Sequence, residues 1–584
     1  MRRFRSVLLA ALTLVPACAP LPPGAASPGP GVSSFEERVH VGSFAIVDAV
    51  AVSQRFVYVA GSGGVAVFDR LAERWQQPRT RDLDRELLRD IGFGISGPAA
   101  GPPITAMAGD PADDAVWIGV PGAVISYRPF TGQVQRTPIT GVPQRIVFER
   151  PGAGGGLGGG DALVQSGGQW TRVSRLGLAM PATTLPASAQ LVVPPTLGDL
   201  LARYPTLRAQ PQLLLGADLA NRPRRQFTLL AGAASPDRAS ELWLGTDGEG
   251  LMKVDPVFAQ GADMPYGLIE PGAGALASAA NGVWVASLGR SQRRGGLTFV
   301  TPDLQQWRWI DGTITVPLAG VRTFSLATRG PRAYLATDRG LVVAMLDGAQ
   351  DMTAYTRLAG MPDDRVFAVQ PRTGGVWAGT ARGLVFVSDD SLEGAEGRGP
   401  SRRGPGRVLL EGTAVFALQA LGNTLWAGTA AGLVRVAANP VDDIPAPTFV
   451  GRDAALRRAV RALATSDSLL LVATDEAVFR LSVSATSDGG VAAPGNVVAE
   501  RIIDLDPLLV GEPTRLAVDS RTVVLAGRDG ALLYARGSGA RRRLQIPADL
   551  PGPVLDVLLQ GDWLFFATPQ GLVRWRRSRD GLVP

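Results

Sequence analysis

The 584-residue sequence has very little of three residue types on which nucleophilic and metal chemistry depends. It contains one cysteine, Cys18, one histidine, His40, and a single lysine, Lys253. One cysteine excludes a disulfide framework and a thiolate zinc cluster. One histidine and one lysine leave almost nothing for a Ser/His/Asp triad, a histidine metal cage or a Schiff-base site. We therefore predict no catalytic residues, no metal ligands and no cofactor, and we interpret His40 as an ordinary strand residue.

The apolar run from Val7 to Val15 is too short to cross a bilayer as a helix. It follows a basic start at residues 2–5 and ends just before Cys18, a layout typical of an export signal. With a cysteine at this place, the segment resembles the signal peptides of bacterial lipoproteins. The resemblance implies that residues 1–17 are removed and that Cys18 becomes the lipid-bearing first residue of the mature chain.

An ordinary secretory signal, cleaved after Ala17 or Ala19, is the alternative to lipidation. Residues 18–35 are rich in Pro, Gly, Ala and Ser and have no apolar period, so they are predicted to form an extended tether. Ala19 is not the acidic residue that retains lipoproteins at the inner membrane in well-known enteric systems. By that analogy we expect the periplasmic face of the outer membrane.

The formal net charge of +6 comes almost wholly from arginine. The arginines cluster at residues 224–225, 541–543 and 574–577. Charged side chains on outer strands prevent sheets from aggregating edge to edge, which is one interpretation of these clusters. The other interpretation is that the clusters bind an anionic membrane surface or an acidic segment of a partner. Nucleic acid is not expected as a partner because an exported protein seldom meets it.

A repeat runs from residue 36 to the end of the chain and governs the fold prediction. Each copy contains an apolar pair that is aromatic in its best-preserved forms. The aligned pairs are Val57-Tyr58, Val116-Trp117, Leu242-Trp243, Val283-Trp284, Ala333-Tyr334, Val376-Trp377, Leu425-Trp426, Leu470-Leu471, Val523-Val524 and Leu564-Phe565. A degenerate copy at 146–164 makes eleven units, spaced mostly by about 40 to 60 residues.

The copy at Leu425 to Val436 shows the local structure best, because two apolar strands flank a turn that closes on Gly432. We expect a type I turn followed by a left-handed glycine there. A further apolar strand precedes each hairpin and a more polar one follows, so each unit is a four-stranded antiparallel meander. One meander cannot bury both faces of its sheet, which predicts units stacked around an axis: an all-β fold of the β-propeller class.

Eleven blades exceed the usual four to eight of one ring, so two tandem propellers are predicted. We place them at 36–265 and 266–584, the second with about seven blades, and keep one oversized ring as an alternative. The last unit lacks an outer strand, which Arg38 to Gly42 is expected to supply. Small residues such as Gly379 and Gly428 are expected to let neighbouring sheets approach, with the preceding tryptophans filling the gap.

Two inserts interrupt the β pattern with helical spacing, one at residues 83–91 and one near 196–226. In the second, Leu197, Leu200, Leu201 and Tyr204 follow the i, i+3, i+4, i+7 spacing and Pro205 is expected to end the helix. The insert is interpreted either as a functional loop or as a helix packed over the edge of a ring. Acid pairs such as Asp113-Asp114, Asp363-Asp364 and Asp442-Asp443 are explained by turns.

The unit from Gly360 to Gly383, with Trp377, Gly379 and Thr380, resembles the two-component regulator propeller repeat family. The resemblance implies fold but little chemistry. With no catalytic inventory, we expect a non-enzymatic, lipid-anchored scaffold that binds a protein or peptide partner in the cell envelope, in an unknown oligomeric state. The resemblance also suggests a ligand sensor for glycans as the alternative, and a propeller hydrolase or lyase as a less favoured one.

The signal-peptide interpretation predicts that Cys18→Ala abolishes incorporation of radiolabelled palmitate and releases the protein from the membrane fraction. The physical reason is that only the lipid on Cys18 would hold the chain at the bilayer. Metabolic labelling followed by fractionation measures both effects, with Ala17→Gly as the matched control. Mature wild-type protein with an unacylated first residue contradicts the prediction.

Overall fold

Antiparallel sheets account for nearly all of the regular secondary structure in the computed structural model, which confirms the predicted all-β class. The residues that the structure describes are 38–61, 64–76, 104–150, 161–182, 185–209, 227–238, 240–258, 260–290, 294–312, 318–346, 352–393, 406–437, 448–449, 454–466, 469–483, 497–504 and 510–583. They form eleven sheets, and each sheet corresponds to one predicted repeat.

Four blades precede residue 265. Their strands, from the first of each blade to the last, are Val47–Val52, Phe56–Gly61, Gly64–Asp69 and Arg74–Trp75 (blade 1); Ala106–Gly109, Val116–Val120, Ala123–Arg128 and Gln133–Pro138 (blade 2); Pro143–Glu149, Ala162–Ser166, Gln169–Val173, Ala179–Pro181 and the added strand Leu191–Val192 (blade 3); and Leu229–Ala234, Leu242–Thr246, Leu251–Asp255 and Gln260–Met264 (blade 4).

Seven blades follow. Their strands are Ala273–Ala279, Gly282–Ser287, Gly296–Val300 and Trp307–Asp311 (blade 5); Thr323–Arg329, Arg332–Thr337, Gly340–Met345 and Met352–Tyr355 (blade 6); Val366–Arg372, Gly375–Thr380 and Gly383–Ser388 (blade 7); Val415–Leu421, Thr424–Thr429, Gly432–Ala437 and Thr448–Phe449 (blade 8); Val460–Ser466, Leu469–Thr474, Ala477–Val483 and Val497–Asp504 (blade 9); Pro513–Val518, Thr522–Gly527, Gly530–Ala535 and Arg541–Gln545 (blade 10); and Asp556–Gln560, Trp563–Thr568, Gly571–Arg576 and Arg38–Val41 (blade 11).

Helices are few and short among the described residues. Helix α1 spans Leu197–Arg203, α2 spans Pro205–Ala209 and α3 spans Asp389–Glu393. Single 3-10 turns cover Ser188–Gln190, Arg357–Ala359 and Ala454–Arg457.

The first strands of blades 5 to 11 contact one another in chain order, and the first strand of blade 11 contacts that of blade 5. This cyclic order defines a closed seven-blade ring with the first strands at its axis. The first strands of blades 4, 1, 2 and 3 contact one another in that order, and the insert lies between those of blades 3 and 4. The predicted pair of tandem propellers is therefore what the chain forms, whereas the exact division at 265/266 stays a prediction.

Helices α1 and α2 lie where blades 3 and 4 would otherwise meet. Leu200 and Leu207 are buried against Leu242 and Leu244 of blade 4. Leu191–Val192 pairs with the inner edge of Pro143–Glu149 in blade 3. The described part of the insert thus packs as a wedge between two blades, which favours the packed-helix interpretation over a free loop.

Packing between blades follows the predicted alternation of a large and a small residue. Trp426 is fully buried among side chains of blade 9, and Trp377 among those of blade 8. A Cβ added at Gly428 would meet Val460 Cγ1 at 2.7 Å, and one at Gly379 would meet Val415 Cγ1 at 2.7 Å. Only glycine therefore fits where the backbones of adjacent blades approach most closely.

The turn after the tryptophan strand of blade 7 differs from the expected one. Gly383 has a φ of +145° and pairs directly with Thr380, so the loop between them has two residues. The Thr380 hydroxyl donates to the Gly383 carbonyl at 2.9 Å and accepts the backbone N–H of Arg382 at 3.1 Å. The threonine of the motif thus closes the hairpin, a role that the sequence analysis did not assign.

The strand Arg38–Val41 completes the last blade, as predicted from its missing outer strand. It pairs antiparallel with Gly571–Arg576, with His40 opposite Val573. The chain then enters blade 1, so both rings meet near this point. Tyr266 lies at the junction, with its ring centroid 4.4 Å from that of Trp75 in blade 1 and 5.3 Å from that of Trp307 in blade 5.

Replacing Gly428 by alanine is expected to lower the free energy of unfolding by about 1 to 3 kcal/mol, because the new methyl group overlaps Val460. Gly537→Ala is the matched control, since a Cβ there has no neighbour within 4 Å and the residue needs no positive φ. Denaturant titration measures both. Equal stability of the two variants contradicts the packing role of Gly428.

Candidate functional site: the axial face of the seven-blade ring

The innermost strand of most blades carries a β-bulge directly after its first residue. Register shifts by one residue there in nine of the eleven blades. A bulge leaves one residue outside the ladder and changes the direction of its side chain. In the seven-blade ring the bulged residues are Gly274, Phe324, Phe367, Phe416, Arg461 and Thr514.

Three of these residues form an aromatic arc on successive blades. The ring centroids of Phe324 and Phe367 are 5.4 Å apart, and those of Phe367 and Phe416 are 5.7 Å apart. Their interplanar angles of 69° and 46° are the edge and tilted arrangements that aromatic pairs prefer. All three side chains are only half-buried, so each keeps part of its ring open to solvent.

Arginines complete the circle on the other side of the axis. The Arg461 guanidinium lies 4.7 Å from the ring centroid of Phe416 and forms an ion pair of 3.0 Å with Glu512. Arg515 of blade 10 donates to the backbone carbonyl of Phe324 in blade 6, and so reaches across the mouth of the ring. We call Phe324, Phe367, Phe416, Arg461 and Arg515 the crown.

Asp556 ties the crown to the closure of the ring. One of its carboxylate oxygens accepts the backbone N–H of Leu276 in blade 5 at 2.8 Å, and the other lies 3.3 Å from Arg515 Nε. Burial raises the pKa of the Asp556 carboxyl, while Arg515 acts in the opposite direction. The carboxylate therefore joins the last blade to blade 5 and holds Arg515 in place.

The crown surrounds a small axial pocket of about 230 Å³. Small-molecule sites usually have volumes of about 300 to 1,000 Å³, so this pocket accommodates one side chain or one terminal residue more readily than a whole ligand. Half-exposed aromatic faces beside guanidinium groups attract apolar groups and anions together.

A second axial cavity, of about 490 Å³, lies within the first ring. Its wall includes the first strands of blades 1 to 4 and the insert residues 192–197. The insert thus enters the axial space of its own ring and contributes Pro194 and Pro195 to the lining of this cavity.

His40 and Lys253, the single histidine and the single lysine of the chain, both lie among the described residues. No group of three or more His, Cys, Asp or Glu residues there lies close enough to hold a metal ion. His40 lies in the closing strand, with Nε2 3.1 Å from the Gln570 carbonyl oxygen. Lys253 lies in blade 4, with Nζ 3.3 Å from Glu241.

The predicted lipid site, Cys18, lies outside the described residues, as do the tether and the helical segment at 83–91. Of the arginine clusters, 541–543 lies on an outer strand, as expected. Arg574 and Arg577 are instead buried, at 1 % and 4 % exposure, and Arg574 lies 4.1 Å from the ring centroid of Trp563. These two arginines are structural and do not guard an edge.

The sequence analysis missed the crown, although a signal was present. Phenylalanine follows the first residue of the innermost strand in three consecutive repeats: Thr323-Phe324, Val366-Phe367 and Val415-Phe416. An apolar residue beside another apolar residue breaks the in-and-out alternation of a strand, and this break indicates a bulge.

No protein-family profile matches the chain, and a search of curated proteins finds no match. Solved structures with a similar fold include PorZ, a surface component of the type-IX secretion system of Porphyromonas gingivalis, at 12 % identity, 93 % of this chain, 87 % of that chain and a TM-score of 0.44. The extracellular domain of a putative hybrid two-component system from B. thetaiotaomicron is 13 % identical. The match covers 91 % of this chain and 70 % of that chain, with a TM-score of 0.38. Virginiamycin B lyase from Staphylococcus aureus is 12 % identical, and the match covers 53 % of this chain and 95 % of that chain, with a TM-score of 0.39.

These likenesses concern the fold only. No profile supports membership of the propeller repeat family that the sequence resembles. Helices in the described part of the chain are all too short or too polar to cross a bilayer.

Asp556→Ala is expected to lower the free energy of unfolding by about 2 kcal/mol, because it leaves the buried N–H of Leu276 without an acceptor. Asp556→Asn keeps an acceptor oxygen and should cost less. Asp562→Ala, at a side chain that is 58 % exposed, serves as the control. Thermal unfolding measures all three, and equal midpoints for the two alanine variants contradict the closing role of Asp556.

Proposed function

We propose that this chain is a non-enzymatic binding protein that holds a peptide or protein partner on the crown of its seven-blade ring. The observation that carries the proposal is the arc of half-exposed Phe324, Phe367 and Phe416 beside Arg461 and Arg515. Aromatic and arginine side chains are the residue types that dominate binding energy at protein interfaces.

The size of the site supports a protein segment as the ligand. A pocket of about 230 Å³ accepts one anchoring side chain, and the exposed rims of the blades around it offer further surface. Interfaces between proteins typically combine such a central anchor with a wide polar rim. A ring of seven blades supplies both at one face.

Location belongs to the same proposal. The export signal and the lipid on Cys18 would hold the two rings at the cell envelope, with the partner an envelope protein or peptide. Two or more lipid chains on one cysteine are enough for durable anchoring, whereas a single chain is marginal.

A glycan is the second candidate ligand, because an arc of open aromatic faces also suits the apolar face of a sugar ring. The two classes differ in what they need from the crown. An extended peptide uses Arg461 and Arg515 for its carboxylates or carbonyls, whereas a neutral sugar needs chiefly the phenylalanines.

The test compares wild-type protein with Phe367→Ser/Phe416→Ser in affinity capture from envelope extracts. The double variant, which lacks two of the three phenylalanines of the crown, is expected to lose a partner that the wild type captures in stoichiometric amount. Phe449→Ser changes a half-exposed phenylalanine of an outer strand and should still capture that partner. Arg461→Ala should weaken capture of the same partner.

Equal capture by the crown variant and the control contradicts the proposal. Stabilisation of the wild type, but not of the crown variant, by neutral oligosaccharides in thermal-shift measurements would favour the glycan. Measurable turnover of a substrate would favour an enzyme.

A further inference from the structure

Each innermost strand has one edge that faces the axis of its ring. Among the described residues, the innermost strands of blades 1, 2 and 4 pair only with the second strand of the same blade. A free strand edge presents unpaired backbone N–H and carbonyl groups and is a template for pairing with another chain. Residues 48–52, 104–109 and 230–234 carry these edges and line the axial cavity of about 490 Å³. We call them the inner edges.

Small side chains leave the inner edges accessible. In blade 4 the run 231–234 is Ala-Gly-Ala-Ala, and blade 2 contributes Ala106, Ala108 and Gly109. Such side chains cover little of the backbone beside them. In the seven-blade ring the side chains of the crown surround the axis, and the pocket there is smaller, at about 230 Å³. The first ring therefore offers backbone groups to an occupant of its axis, whereas the crown offers side chains.

One inner strand of the first ring is already paired on its axial side, which shows that an extended segment fits there. Leu191–Val192 of the insert pairs antiparallel with Glu149 and Phe148 of blade 3. The same register, two residues further on, would bring Pro194 opposite Ile146. Proline has no N–H to donate to a strand edge. The insert therefore leaves the edge at this point and lines the cavity instead.

The backbone groups decide which kind of molecule suits the cavity. Any occupant displaces water from the N–H and carbonyl groups of the inner edges, and a buried polar group without a partner is unfavourable. An acyl chain has no group that replaces this water. An extended peptide donates and accepts along its whole length and can add a strand to an edge, which is a recurring mode of peptide recognition.

The length of the wall sets the length of such a peptide. All residues from 48 to 52 in blade 1 line the cavity. At a rise of about 3.3 Å per residue, these five residues span about 13 Å. The cavity volume also lies within the range of about 300 to 1,000 Å³ that ligand sites usually have. An extended segment of about four residues matches this space.

The mouth of the cavity carries an unpaired carboxylate. Asp48 and Gln144 are the bulged residues of blades 1 and 3, and both line the cavity together with Arg145. Asp48 makes no hydrogen bond or ion pair with the described residues, and partial burial raises the pKa of its carboxyl. A cationic group beside Asp48 would stabilise the charged carboxylate. The amino terminus of a peptide is such a group.

We propose that the axial cavity of the first ring binds an extended peptide segment of about four residues, whose backbone pairs with an inner edge and whose amino terminus lies beside Asp48. The segment is either a free oligopeptide or the amino-terminal end of a longer chain. This site is separate from the crown, and the inference does not depend on the function proposed for the crown.

The first experiment is equilibrium dialysis of the full-length protein against a random tetrapeptide library with free termini. Mass spectrometry is expected to find a subset of tetrapeptides enriched on the protein side. Ala49→Phe places a large side chain in the wall of the cavity and should abolish this enrichment. Ala262→Phe, at an exposed alanine of the outer strand of blade 4, is the matched control and should retain it. Thermal unfolding establishes that both variants are folded.

The crown variant Phe367→Ser/Phe416→Ser separates this proposal from the function proposed above. Peptides that are lost in Ala49→Phe but retained by the crown variant are bound in the cavity of the first ring. The proposal is overturned if no tetrapeptide is enriched, or if enrichment is lost in the crown variant and kept in Ala49→Phe. Binding of dodecanoate without binding of any peptide also overturns it, in favour of an acyl chain.

Backbone methylation of the most enriched tetrapeptide tests pairing with a strand edge. Successive N–H groups of a strand point in opposite directions, so only one of two adjacent amides faces the edge. N-methylation at one of residues 2 and 3 is expected to weaken binding by about tenfold or more, and methylation at the other to be tolerated. Equal effects of the two methyl groups overturn the strand pairing.

A third measurement addresses Asp48 with a variant that should not disturb the fold, because the side chain is exposed. Asp48→Asn and N-acetylation of the peptide are each expected to weaken binding, and together by no more than one of them alone, because both remove the same ion pair. Asp263→Asn, at an exposed aspartate of blade 4, is the control. Unchanged binding in Asp48→Asn overturns the placement of the amino terminus.

A longer peptide identifies the source of the segment. A dodecapeptide that begins with the enriched tetrapeptide should bind as well as the tetrapeptide if the natural ligand is the end of a protein chain. Binding of the tetrapeptide alone indicates a free oligopeptide. Both results support the proposed site, whereas equal binding of a dodecapeptide with the four residues in scrambled order overturns it.

Discussion

Contact between the faces of adjacent sheets is the interaction on which everything else in this molecule depends. A meander of four short strands has two apolar faces, and neither is buried by the blade itself. Trp377 and Trp426 fill the space between blades, and the glycines that follow them, Gly379 and Gly428, allow the backbones to approach. Because each blade is stabilised by its neighbours, the row of blades must close into a ring. It can do so by direct contact between its end blades or through an inserted segment that covers their faces.

The two rings close in different ways. In the seven-blade ring, Asp556 of the last blade accepts the backbone N–H of Leu276 in blade 5, and Arg38–Val41 supplies the missing outer strand. In the first ring, Leu200 and Leu207 of the insert cover the face that blade 4 would present to blade 3. The Tyr266 junction then unites both rings in one core, which includes Phe44, Trp75 and Trp307.

Much of this fold could be predicted because the repeat encodes contacts that are local in sequence. The tryptophan, glycine and threonine at 377–380 specify a strand, a close approach and a hairpin within a few residues, and the closing strand followed from an unpaired edge. Helix α1 ends at Arg203, near the predicted stop, but a second helix begins at Pro205 because proline is favoured in the first turn of a helix. The fifth strand of blade 3 depends on pairing between distant residues, which no local pattern contains.

The crown and the burial of Arg574 were harder to predict for the same reason. Phe324, Phe367 and Phe416 lie next to one another only because the bulges of neighbouring blades face one axis, and the burial of Arg574 depends on Trp563 and on the Pro302 carbonyl. Sequence patterns specify which face of a strand is buried, but not which distant blades share an end.

The pairing of Arg38–Val41 with Gly571–Arg576 has a consequence for how the protein is made. The strand Arg38–Val41 must wait for a partner that is synthesised more than 500 residues later. Until then Arg38–Val41 has no strand to pair with, and the seven-blade ring is incomplete. Completion of the fold is thus tied to synthesis of the last blade, and a product truncated before it would keep Arg38–Val41 unpaired.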